Sequence, residues 1–125
     1  MRDSLKKFPY LGFECEVVNN GMGFRCGYVT VPVGHPAIDL YHEGDYEIEN
    51  TIDCHGGVTY TQLNDDGTLT IGFDCAHYND APDPRLKGYN PQFASHIRGV
   101  VRSTEYCVQQ CMKMAEQLKL MEVKS

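Results

Sequence analysis

At 125 residues the chain is long enough for one domain with one core and too short for two. Seventeen acidic against 11 basic side chains give a formal charge of −6, and the basic residues form no stripe, so duplex nucleic acid is excluded as a partner. Residues 1–7 hold no apolar leader and no run approaches ~18 apolar residues, which predicts a cytoplasmic protein with no membrane partner.

Residues 13–18 alternate Phe13, Cys15 and Val17 with Glu14 and Glu16, the period of a half-buried strand. Asn19-Asn20-Gly21 turns the chain into a second strand over 25–31, which Pro32 ends. Residues 34–50 read as an acidic loop, with Gly34, Pro36, Gly44 and five carboxylates between 39 and 49. Residues 58–63 and 68–73 form the clearest hairpin, around Asn64-Asp65-Asp66-Gly67. The stretch from Cys75 to Pro91 has no periodicity and reads as a binding loop or lid. Cys107, Val108, Cys111, Met114, Ala115 and Leu118 then recur at helical spacing, with Ser103 or Thr104 as cap; an earlier start at Asn90 is also legitimate. These elements predict an α+β domain over 1–125. Its antiparallel sheet has about four or five strands and carries the C-terminal helix on one face.

Six cysteines invite a disulfide framework, but they show no Cys-x-x-Cys pair and lie among ample apolar residues. They read as reduced thiols acting as small core residues.

Three segments could carry chemistry. In the first, His55-Gly56-Gly57-Val58-Thr59, adjacent glycines let backbone N–H groups approach an anion, while His55 and Thr59 add a titratable group and a hydroxyl. A tight turn with a satisfied histidine fits the same residues. In the second, Asp74, His77 and Asp80 follow one another at three-residue steps after a strand. If that segment coils, they could converge as a metal site with His55 or His35, or as a carboxylate–histidine acid–base pair. They could equally be loop-capping aspartates. In the third, prolines bound His35 in an extended turn. His42 and His96 have no partner pattern and read as surface residues.

Together Cys26-Gly27-Tyr28-Val29-x-Val31-Pro32-x-Gly34-His35-Pro36, His55-Gly56-Gly57-Val58-Thr59-Tyr60 and Ile71-Gly72-Phe73-Asp74-Cys75-Ala76-His77-x-x-Asp80 resemble a family of small proteins encoded by bacteriophages and prophages. The resemblance implies an accessory protein of the host cytoplasm, one that captures or hydrolyses the nucleotides that signal infection. The leading expectation is capture of a small phosphate-bearing nucleotide or similar anionic metabolite by a homo-oligomer, without a cofactor. His55, Gly56, Gly57 and Thr59 would receive the anion, with His35, Asp74, His77 and Asp80 nearby and Arg98 or Arg102 as the cation. Tyr28, Tyr60 or Tyr78 would stack on the base, and residues 80–89 would close over it. The alternatives are a metal-dependent nucleotide hydrolase using Asp74, His77 and Asp80, and an inhibitor that binds a host enzyme through the acidic stretch.

Overall fold

The computed structural model describes residues 3–44 and 46–124. In chain order the elements are β1 (Asp3–Tyr10), β2 (Phe13–Asn19), β3 (Arg25–Val31), α1 (Pro36–Glu43), α2 (Glu47–Thr51), β4 (Tyr60–Leu63) and β5 (Leu69–Asp74). They continue with β6 (Asp80–Ala81), α3 (Pro91–Ala94), β7 (Val100–Val101) and α4 (Thr104–Lys124). Strands β1 to β5 form one antiparallel sheet in the order β1-β2-β3-β5-β4, and β6 pairs with β7 in parallel. The α+β architecture is the one that the sequence pattern predicts.

Alternation decides which face of the sheet is covered. Phe13, Cys15 and Val17 of β2, Val29 and Val31 of β3, and Leu69, Ile71 and Phe73 of β5 are buried with Cys107, Cys111, Met114, Ala115 and Leu118 of α4 in one core. Fully burying a side chain of Val or Leu size contributes about 1.5–3 kcal/mol, so this seam is the main apolar support of the fold. Ser103 caps α4, accepting from Tyr106 N–H at 3.0 Å. On the opposite sheet face Tyr28 and Tyr60 meet edge to face, 5.3 Å apart.

Three segments depart from the sequence expectations. Strand β1 adds a fifth strand, joined to β2 by a tight turn in which Leu11 and Gly12 both have positive φ, the geometry that suits a two-residue hairpin. The acidic stretch is not a loop. Pro36 sits in the first turn of α1 and Ala37, Ile48 and Ile52 reach the core, so apolar anchors organise it into two short helices. The region after Asn90 is a separate helix, α3, in which Asn90 Oδ1 accepts from Gln92 N–H and Phe93 N–H; α4 begins only after β7.

Candidate functional site

The end of β5, the turn before β4 and the start of α4 meet at Asp80. This carboxylate is 1 % exposed. It receives His55 Nε2 at 2.9 Å, Arg102 Nε at 2.8 Å and the His77 backbone N–H at 2.9 Å. Burial works against its charge, but the bonds from His55, Arg102 and His77 outweigh it and hold the carboxyl below its ordinary pKa. With Asp80 ionised, His55 Nε2 donates to it. On the other side of the ring Nδ1 lies 2.7 Å from the Tyr106 hydroxyl. The Arg102 guanidinium lies 5.2 Å above the Tyr106 ring, and Gln110 Oε1 accepts the His55 backbone N–H. Burial raises the Tyr106 pKa. This network fixes the His-Gly-Gly turn to α4 and to β6.

A second histidine–carboxylate pair stands beside the first. His77 Nε2 lies 3.5 Å from Asp74 Oδ1, and Asp74 Oδ2 accepts from the Thr59 hydroxyl at 2.9 Å. The His77 ring rests on Gly56, whose φ is +68°; a Cβ at that position would overlap the ring. His77 Nε2 is buried without a hydrogen-bond partner. The nitrogen left for the other side of the ring is Nδ1, and His77 also lines a cavity.

That cavity has a volume of about 590 Å³. It is lined by Asn20, Met22 and Phe24, by Ala76, His77, Tyr78 and Asp80, and by Phe93, His96, Ile97 and Arg98. Tyr78 is 92 % exposed, and Met22 and Phe93 present large apolar surfaces. The Arg98 guanidinium has no carboxylate partner among the described residues.

The anion donors expected from the sequence are mostly occupied. Gly57 N–H donates to Cys54 O and closes its own turn, Thr59 holds Asp74, and His55 and Arg102 hold Asp80. Asp74, His77 and Asp80 do not converge as a metal site, because Asp80 turns towards His55 and Arg102 while Asp74 turns towards Thr59. Among the described residues no three His, Cys, Asp or Glu side chains form a metal-ligand set. His35 lies elsewhere: its Nδ1 accepts from Ala37 N–H as the cap of α1, and its Nε2 donates to Leu118 O. Tyr60 is on the far sheet face, and only Tyr78 of the named tyrosines reaches the cavity. His96 is exposed, as the sequence predicts, and also lines it.

Residues 80–89 are a strap rather than a lid. Buried Asp83 accepts from Arg25 Nη2 at 2.9 Å and from Arg85 Nε and Nη2 at 3.0 Å, and its N–H donates to Gly23 O. Behind the site all six cysteines are free, and the thiols of Cys75 and Cys107 are in contact at 3.5 Å. The hydrogen bond between them raises the Cys75 pKa and lowers that of Cys107.

Comparison with known proteins finds no matching family model, no matching curated protein and no matching solved structure.

Proposed function

We propose that the protein binds a small phosphate-bearing nucleotide, or an anionic metabolite of similar build, in the cavity between Met22, His77 and Arg98. The observation that carries this reading is an unpaired guanidinium on the wall of an otherwise largely apolar and aromatic cavity. A volume of about 590 Å³ suits a small ligand, since such sites occupy roughly 300–1,000 Å³. Apolar and aromatic side chains accept a flat base, while Arg98, His96 and His77 offer N–H donors to a phosphate. Binding without chemical change, one of the two roles that the resemblance to phage proteins implies, would make it a capture protein for a nucleotide signal. Exposed Phe93, Val100 and Val101 beside the cavity support completion of the site by a second copy.

The test is a thermal-shift screen with signalling nucleotides, followed by heat release and mass analysis of whatever binds. An upward shift, lost in Arg98→Ala, with the ligand returned intact is the expected result. No shift with any nucleotide would remove the reading. A specific observation favours one second reading: His77, backed by Asp74 at 3.5 Å, has the arrangement of an acid–base histidine. A ligand returned cleaved by the native protein and intact by His77→Ala would establish a hydrolase instead.

A further inference from the structure

We infer that the cavity selects a nucleotide whose phosphate carries a single negative charge, a phosphodiester, over any di- or triphosphate. The inference rests on the nucleotide-binding reading above and narrows its ligand class. Arg98 is the sole Lys or Arg among the described residues that line the cavity. Its planar fork matches two oxygens of one phosphate and balances one unit of charge. Every further charge would face a chain of net charge −6 with two carboxylates close by. Asp80 is at the cavity wall and Asp74 is behind His77.

A polyphosphate normally arrives with Mg²⁺, which is bound through one or two protein carboxylates. Asp80 is already engaged, and Asp74 does not line the cavity. Asp80 is filled by His55, Arg102 and the His77 N–H, and Asp74 is held by Thr59. His77 and His96 add imidazole nitrogens that can hydrogen-bond a diester. The remaining lining, Met22, Phe24, Phe93 and Ile97, suits the base and sugar rather than more phosphate.

The experiment is calorimetric titration of the full chain with the 3′,5′-cyclic monophosphates of adenosine, guanosine, cytidine and uridine, and with the matching 5′-triphosphates, each with and without Mg²⁺. The best cyclic nucleotide should bind at least about tenfold more tightly than its triphosphate, and Mg²⁺ should not help the triphosphate. Arg98→Ala should weaken the cyclic nucleotide at least about tenfold while leaving the parent nucleoside unchanged, and Arg98→Lys should fall between. A triphosphate that binds as tightly as the diester, or gains from Mg²⁺, overturns the inference and leaves nucleotide binding standing. So does an Arg98→Ala protein that binds the diester like the native one. If none of the eight binds and the wider screen of signalling nucleotides is also silent, the nucleotide-binding reading itself fails.

Discussion

His55 Nε2 and Asp80 Oδ2 lie 2.9 Å apart, and this contact between residues 25 positions apart ties the His-Gly-Gly turn to the wall of the cavity. Asp80 also receives Arg102 and the backbone of His77, so three donors depend on one buried carboxylate. Asp80→Asn keeps the shape but turns an amide donor towards groups that are donors themselves. Breaking a buried pair of this kind costs about 3–5 kcal/mol, and the urea midpoint should fall accordingly. Asp74→Asn, at a partly exposed carboxylate, should cost less than about 1 kcal/mol in the same measurement.

Gly56 and Gly57 both have positive φ, yet they should respond differently to alanine. A Cβ on Gly57 meets nothing within 4 Å, whereas one on Gly56 overlaps the His77 ring. Gly57→Ala should therefore lose only the backbone cost, about 1 kcal/mol, and keep ligand binding. Gly56→Ala should lose more stability and should also displace His77, weakening binding in the thermal-shift assay. Equal binding by the two variants would separate His77 from the site.

His35→Ala is expected to weaken the fold and spare the site. It leaves the Ala37 N–H and the Leu118 carbonyl without their buried partner, a loss of about 2–3 kcal/mol. Nucleotide affinity, measured at a temperature where the variant is folded, should be unchanged.

Stability should fall at both ends of the pH scale. Hydrogen bonds from Arg85 hold Asp83 well below the ordinary carboxylate range; burial opposes them, and Arg25 assists. Asp80 is also lowered. Below about pH 3.9 the unfolded chain therefore binds more protons than the native one, and stability is lost as pH falls further. His35, lowered by burial, adds an earlier loss that begins below about pH 6.5. At the alkaline end, burial pushes Cys15 up to about 11 and Cys54 up to about 12. Unfolded thiols ionise near 8.5, so stability present below that pH is lost as it rises towards 12. Urea midpoints across pH should show both declines, with Asp83→Asn flattening the acid arm and Cys54→Ala the alkaline one.

The sheet and its helix were legible because alternation in residues 13–18 and 68–73 and the three- and four-residue steps from Cys107 to Leu118 each point to one buried face. Strand β1 was not, because Lys6-Lys7 interrupts its alternation and it lies at the edge of the sheet. The importance of His55, His77 and Asp80 could be read from their types and spacing; their geometry could not. Three-residue steps suggest convergence only if the segment is helical, and here the chain bends so that Asp80 faces a histidine from another turn. Tyr106 and Gln110 gave no signal, since on an amphipathic helix they resemble ordinary boundary residues. Met22, Phe93 and His96 reach one cavity only through tertiary folding.

Arg25 joins more of the chain than any single strand pairing does. From β3 it donates to Asp83 in the strap, to the Thr104 hydroxyl in the first turn of α4 and to the Arg102 carbonyl before it. The strap therefore shares its anchor with β3 and the start of α4. The Asp83 amide, bonded to Gly23 O, should exchange its hydrogen with solvent at the rate set by unfolding of the whole domain. A surface segment with little regular structure thus acquires the persistence of the core.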